Sequence, residues 1–312
     1  MKASGFEPHH IQSVTLQQIR CFVAVVKGGS YARAEGLGIA QPAVSRAVMR
    51  LEDILGAKLF EPGERTKISA FGEKILPEAS RMLGMVESLK RLAQDEAGKG
   101  RIAGEVTIGT KSVFAETILP KLIGAFRKKY RRVSFRIRCG GGDELLGMLR
   151  TGDIDIAVSH ERPCPDGIAY KRLWSFPRLL VVPRDHALAK GSLTARRLAE
   201  ADLILPGRDS QTFAELMRKL SEAVSGERIR RGIEITSAAA QIAYVAQGWG
   251  VAVIDGSAEE LLTPALLARR LPPNILAERD AGVFYPTQRY APNVVRKFVE
   301  ESCGRSARGD DE

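Results

Sequence analysis

The chain has 312 residues, 44% of them apolar, which gives room for two or three domains with well-buried cores. Its net charge of +10 permits a nucleic-acid partner, but residues 1–100 carry only +3 of it, 14 Lys and Arg against 11 Asp and Glu, so basicity does not assign one. No apolar run approaches the ~20 residues needed to span a bilayer, the N-terminus lacks a signal-peptide core, and Cys21, Cys139, Cys164, Cys303 and the histidines are scattered; these features argue against a membrane span, a secreted product and a zinc motif, and favour a cytoplasmic protein with reduced thiols.

Residues 1–14 are polar and aperiodic and read as a loose arm. From Leu16 to Val26 apolar residues recur at helical spacing and stop at Gly28-Gly29, a C-cap signal. Ser30 is an N-cap for a second helix running from Tyr31 to about Leu37, and Gly38 supplies a tight turn. The stretch 41–50 then reads as a helix with two unlike faces. Val44, Val48 and Leu51 form one apolar stripe, and Gln41, Ser45, Arg46, Met49 and Arg50 fall elsewhere. An amide, a hydroxyl and two guanidiniums are groups that hydrogen-bond base edges and phosphates in a DNA groove. Pro42 suits the first turn, where its missing N–H is no loss. After it, Leu59-Phe60, the polar run 61–67 and Ile68 fit a β-hairpin wing that carries Arg65 and Lys67 toward a phosphate backbone.

The ordered run Leu16, Phe22-Val23-Ala24-Val25, Gly29-Ser30-Tyr31, Ala34, Leu37, Gln41-Pro42-Ala43-Val44-Ser45-Arg46, Leu51-Glu52, Leu55-Gly56 and Leu59-Phe60 resembles the N-terminal winged helix-turn-helix of LysR-type transcriptional regulators. Length and layout resemble that family over nearly the whole chain. Two departures stand out so far: Ala40 occupies the capping position where the family usually has Ser or Thr, and Gly36 interrupts the second helix, each costing roughly 1 kcal/mol.

Residues 71–97 read as one long helix. Ile75, Ala79, Met82, Val86, Leu89 and Ala93 make a heptad seam, widened by Leu76, Leu83 and Leu92, which predicts pairing with a second copy, since two-fold operators need paired recognition helices. Pro77 predicts a kink near its start. Residues 98–101 form a hinge.

Beyond 102, strand and helix signals alternate: strand 105–110, helix 117–130, strand 134–139, helix 143–149, strand 154–158 and strand 179–182. A second series follows: strand 202–205, helix 213–224, strand 233–236, helix 238–247 and strand 251–254. Strand 281–285 and helix 293–301 come last. The alternation implies a mostly parallel α/β sheet with helices on both faces. The two series resemble the paired subdomains of the LysR effector-binding domain, similar in architecture to periplasmic solute-binding proteins. By that resemblance the last strand and helix return to the first lobe, and ligand binds between the lobes.

The expected fold is therefore α/β: an N-terminal winged helix-turn-helix, a long linker helix and a two-lobed effector domain. The expected domains are an arm (1–14), the DNA-binding head (15–70), the linker helix and hinge (71–101), the effector domain (102–303, with lobes 102–178 plus 281–303 and 179–280) and a polar tail (304–312).

In open α/β sheets, ligands sit past the C-terminal strand ends, where helix N-termini attract anions. That rule selects Lys111 and Ser112 after the first strand, the glycines Gly140 to Gly142 after the second, Ser159 and His160 after the third, and Thr236 with Ser237 in the second lobe. The family's usual loops support Ser112 and Ser237, although helix capping is the plainer role for both. Lys111 and His160 favour a small anionic effector, a carboxylate or phosphorylated metabolite. The family's Gly-x-Gly ending appears as Gly248-Trp249-Gly250, but Asp255 stands where the family places proline.

No Gly-x-Ser-x-Gly turn, nucleotide fingerprint or metal triad occurs, so neither an enzyme nor a cofactor is expected. Asp153 and Asp155 read as turn or capping residues. The expected function is a regulator, homodimeric or homotetrameric, that binds operator DNA through Gln41, Pro42, Ser45, Arg46, Arg50 and Arg65, with RNA polymerase a further candidate partner. The alternative is a cytosolic small-molecule-binding protein whose N-terminal segment serves only assembly.

Overall fold

A computed structural model describes residues 14–31, 38–64, 66–98, 101–224, 229 and 231–306. The chain divides into two compact units: residues up to 100 with 147–153 and 288–292, and the remainder.

The first unit is helical. Helix α1 (Leu16–Gly28) opens on a capping box between Thr15 and Gln18 and closes on Gly29 at φ 63°, a left-handed conformation that suits glycine. Helix α2 (Gln41–Leu55) starts without a side-chain cap at Ala40, carries Pro42 in its first turn and ends on Gly56. The second predicted helix, 31–37, lies outside the described residues apart from Tyr31, as does Arg65.

Val44, Val48 and Leu51 are buried against Ile19, Phe22, Val23 and Val25 of α1. Phe22 meets Phe60 edge to face, ring centroids 5.7 Å apart. Buried Glu52 accepts from the Leu59 backbone N–H at 2.9 Å and from Lys58 Nζ at 2.8 Å, fixing the start of the wing. The wing itself is shorter than the expected hairpin: one antiparallel bridge joins Phe60 to Ile68, and Pro62 with Gly63 at φ 85° turns the chain between them.

Helix α3 (Ala70–Ala97), capped by Ser69, runs through Pro77. The predicted seam splits. Ala79 is buried in the head core with Ile75, Leu76 and Leu83 packed beside it, whereas Met82, Met85, Leu89 and Leu92 are exposed at steps of three and four. The N-terminal half of the apolar pattern thus serves the chain's own core, and Met82, Leu89 and Leu92 of the expected seam face outward together with Met85.

The second unit contains, in chain order, β1 (Gly104–Thr110), α4 (Ser112–Glu116), α5 (Ile118–Lys129), β2 (Val133–Cys139), the first turns of α6 (Gly142–Thr151, assigned to the first unit from Gly147), β3 (Ile156–His160), β4 (Ile168–Phe176), β5 (Arg178–Pro183), α7 (Ala195–Ala199), β6 (Leu203–Leu205), α8 (Gln211–Val224), β7 (Arg231–Glu234), α9 (Ala238–Ala246), β8 (Val251–Asp255), a 3-10 turn (Gly256–Leu261), β9 (Leu266–Arg270), β10 (Arg279–Pro286) and α10 (Asn293–Ser306). The strands form two five-stranded sheets, ordered β2-β1-β3-β10-β4 and β7-β6-β8-β5-β9. In each, one strand is reversed: β10 runs antiparallel to β3 and β4, and β5 antiparallel to β8 and β9. These reversed strands follow the two crossovers, β4 to β5 and β9 to β10. The expectation of a mostly parallel sheet holds for strand direction, but half of the pairings in each sheet are antiparallel.

Three further differences have local causes. The helix expected over 117–130 is present as α5, but a short helix not expected, α4, precedes it and ends at Thr117, whose hydroxyl bonds back to the Val113 carbonyl at 2.7 Å. Strands β4 and β9 were not expected, because Lys171-Arg172 and Arg269-Arg270 interrupt the apolar pattern of strands exposed along one face. Asp155 does not cap a helix; buried, it accepts from the Thr107 backbone N–H at 2.7 Å and ties β1 to the segment that enters β3.

Candidate effector cleft and DNA-binding helix

A cleft of about 730 Å³ opens between the two sheets of the second unit. Its walls follow from strand direction. The parallel strands β1, β2 and β3 end at it, as do β6, β7 and β8, so the loops leaving them line it. The reversed strands β5 and β10 begin at it, which brings Arg178 and Arg279, their first residues, to the same place.

All nine residues selected from the sequence, Lys111, Ser112, Gly140, Gly141, Gly142, Ser159, His160, Thr236 and Ser237, line the cleft. Ser237 also caps α9, its hydroxyl accepting from Ala240 N–H at 3.3 Å. Ser112 caps nothing; it is the exposed first residue of α4, whose N-cap position is Lys111. The glycine turn has a steric reason, since a Cβ on Gly142 would overlap the Arg162 guanidinium, which bonds Asp143.

Reading only C-terminal strand ends misses Arg178 and Arg279; Asp255 does close a strand, β8, but the sequence marked it only as the position where the family places proline. Asp255 Oδ2 lies 3.0 Å from His160 Nε2, joining the end of β8 in one sheet to the end of β3 in the other. Its Oδ1 accepts from Ser257 N–H at 3.0 Å and starts the 3-10 turn. Arg178 sits opposite Asp255 in the β5–β8 register, with Nη1 4.0 Å from the carboxylate. Arg178 and Arg279 both donate to Thr212 Oγ1, at 2.9 and 3.5 Å, and Arg279 also reaches Gln211 Oε1 at 2.9 Å.

Burial disfavours charge on His160 and holds its imidazole below the ordinary pKa, against the upward pull of Asp255. Burial alone would raise the Asp255 pKa; the hydrogen bonds from His160 and Ser257 outweigh it and keep the carboxyl low. Lys111 is pushed down by burial and then by the cations Arg279 and Arg162, and its ammonium has no hydrogen-bond or ion-pair partner in the described chain. The cleft gathers four cations, Lys111, Arg162, Arg178 and Arg279, beside the carboxylates Asp143, Glu144, Asp209 and Asp255.

In the first unit, α2 exposes Gln41, Pro42, Arg46, Met49 and Arg50, while Ser45 is half-buried. Arg46 Nε donates to the Pro42 carbonyl at 3.3 Å, lying back along its own helix. The polar surface of this helix lies opposite the stripe that packs on α1, the arrangement a groove-reading helix requires.

Residues 16–73 match the family model for the bacterial regulatory helix-turn-helix protein, lysR family, and residues 99–302 match the LysR substrate binding domain. The chain belongs to the LysR family. It is similar to the RuBisCO operon transcriptional regulator of Allochromatium vinosum, 30% identical over 246 residues, 78% of this chain and 80% of that one. Its fold resembles full-length CbnR in complex with its target DNA, at a TM-score of 0.66 and 23% identity over 94% of this chain and 100% of that one. It also resembles HinK, a LysR family transcriptional regulator from Pseudomonas aeruginosa, at a TM-score of 0.56 and 25% identity over 94% and 99% of the two chains.

This LysR-type regulator is a DNA-binding transcription factor with an effector-binding domain. The family consists of transcriptional regulators that bind DNA and act as oligomers. Among the described residues, no helix is long and apolar enough to cross a membrane, and no group of three His, Cys, Asp or Glu could hold a metal ion.

Proposed function

We propose that a small anionic metabolite binds between the two sheets of the effector domain and biases the placement of paired α2 helices on operator DNA. The observation that carries this reading is the cleft itself, where Lys111, Arg178 and Arg279 converge and one ammonium is left without a partner. Lys111, Ser112, Gly140, Ser159, His160, Thr236 and Ser237 form its contact set, joined by Arg178 and Arg279. Gln41, Pro42, Ser45 and Arg46 meet the groove, and Arg50 and Arg65 hold phosphates.

The regulator works as a homodimer or homotetramer in the cytoplasm, is not an enzyme, and engages RNA polymerase at its promoters. Oligomerisation is supported by the exposed stripe Met82, Met85, Leu89 and Leu92, whose spacing suits a helix pair. The head comprises 15–70, the linker 71–101 and the effector domain 102–303, with lobes 102–178 plus 281–303 and 179–280, between the arm 1–14 and the tail 304–312.

Selection of genomic fragments with the purified protein, followed by footprinting, tests this reading. Discrete sites whose affinity changes on adding a metabolite are expected. Equal affinity for all duplexes, with and without candidate metabolites, overturns it.

A further inference from the structure

Small-molecule sites are commonly walled by aromatic and large aliphatic side chains that grip an apolar ligand body. This cleft departs from that pattern. Among the described residues its lining contains no phenylalanine, tyrosine, tryptophan, leucine or methionine; its aliphatic members are Val113, Ala238, Val253 and Ile254, beside Pro163 and Pro206. Apart from the imidazole of His160, itself buried and packed on Phe114, an aromatic acid would find no aromatic ring to stack on.

The charged groups add a second constraint. Asp255 is committed to His160 and Ser257, Asp143 to Arg162, and Glu144 to the Gly141 N–H at 3.2 Å. Glu215, 3.7 Å from Arg178 and 36% exposed, stands outside the lining. Arg178 is held between Glu215 and Asp255, and Asp209 offsets part of the Lys111 charge, yet burial and mutual repulsion still weaken the charge of Lys111 and Arg279. A single carboxylate offsets one of these charges. A phosphate monoester carries about −1.5 to −2 at neutral pH and offers three terminal oxygens. Helices α6, α8 and α9 all begin at the cleft and add backbone N–H donors. The side chains of Ser112, Asp209 and Thr236, which carry no hydrogen bond among the described residues, supply acceptors for ligand hydroxyls.

We infer that the effector is a phosphate ester of a hydroxylated, non-aromatic carbon skeleton, its phosphate held by Lys111, Arg178 and Arg279 and its hydroxyls by Ser112, Thr236 and Asp209. This rests on the proposal that the cleft is the effector site.

Calorimetric titration of the full-length protein tests the inference. The probes are inorganic phosphate, three- to six-carbon sugar phosphates, their unphosphorylated parents, dicarboxylates such as succinate and glutarate, and benzoate. At least one sugar phosphate should bind more tightly than its parent sugar and than every carboxylate. Lys111→Gln and Arg279→Gln should each weaken it about tenfold or more, as expected for loss of a charge-assisted hydrogen bond. Lys111→Gln removes no hydrogen bond or ion pair among the described residues, so its fold is retained even where that of Arg279→Gln is not. A dicarboxylate or benzoate binding most tightly, with both substitutions weakening it, keeps the cleft as the effector site and overturns the phosphate assignment. No binding by any sugar phosphate also overturns that assignment. Sugar-phosphate binding unchanged in both variants overturns the assignment and the cleft together.

Discussion

His160 Nε2 and Asp255 Oδ2, 3.0 Å apart and both buried, form a hydrogen bond that ties the end of β3 in one sheet to the end of β8 in the other. With Asp255 accepting at Nε2, the imidazole is the Nε2–H tautomer, and its Nδ1 is buried without a partner. Because Arg178 also faces Asp255, one carboxylate organises two donors. Asp255→Ala should therefore destabilise the effector domain by about 3 kcal/mol, the usual scale for leaving a buried charged partner uncompensated. Trp174 and Trp249, the chain's two tryptophans, both lie in this domain, so their fluorescence follows its unfolding. A double-mutant cycle with His160→Gln should show coupling; additive losses would mean that the two side chains act independently.

The same pair predicts a pH dependence. The folded pKa of His160 lies below its ordinary 6.5, so below that pH the unfolded chain binds a proton that the native chain refuses. Stability should fall as pH drops below 6.5, with the loss levelling off beneath the folded value. The contribution of Asp255 is present above its ordinary 3.8 and is lost only as pH falls through its still lower folded value, so the two effects separate. Melting temperatures of wild type and His160→Gln between about pH 8 and pH 5 check this, with the variant losing the slope near 6.

Lys111 works against the fold in the absence of ligand. Its folded pKa is lowered from 10.5, so the native state holds its proton less firmly than the unfolded chain and gains stability as pH rises toward that value. Lys111→Gln should raise the stability of the ligand-free domain at neutral pH by roughly 1 kcal/mol, the pattern of a residue kept for binding. A loss of stability on substitution would show that the ammonium has a structural partner.

The loops that build the cleft were recognisable because glycine, serine and the single His160 stand directly after apolar strands, and strand ends are where α/β folds bind ligands. Arg178 and Arg279 were not recognisable by that rule, since they open strands instead of closing them. Only the reversal of β5 and β10, a property of sheet pairing, brings them to the same edge. Asp255 stood out as a departure from the family's proline, but its partner His160 is 95 positions away. In the head, the α2 stripe was plain from spacing. The seam in α3 was half misassigned, because helical periodicity does not distinguish a residue facing its own core, such as Ala79, from one facing solvent, such as Leu89.

The exposed face of α2 separates two kinds of DNA contact. Arg46→Ala should cost about 1–3 kcal/mol on a selected operator and relax preference at one base pair if the guanidinium leaves Pro42 to read a guanine edge. Arg50→Ala should weaken all duplexes alike and flatten the salt dependence by about one phosphate. Binding titrations on matched and mismatched sites at several salt concentrations distinguish the two. Equal affinity of wild type and Arg46→Ala on a selected site would remove Arg46 from the interface.

The start of α2 is under-capped, and that is correctable. Ala40 has extended backbone angles, φ −60° and ψ 141°, and is exposed, but it has no side-chain oxygen for the first turn, where Pro42 lacks an N–H and the Ala43 N–H turns back to the Ala40 carbonyl at 2.8 Å. Ala40→Ser places a hydroxyl there without disturbing the core formed by Val44, Val48 and Leu51. The head should gain about 1 kcal/mol, seen as slower amide exchange along α2. Because the groove-facing side chains are untouched, operator affinity should stay equal or improve slightly as the helix frays less. Unchanged exchange would show that Ala40 N–H neighbours already find acceptors, and that the family's Ser or Thr at this position serves DNA instead of the helix.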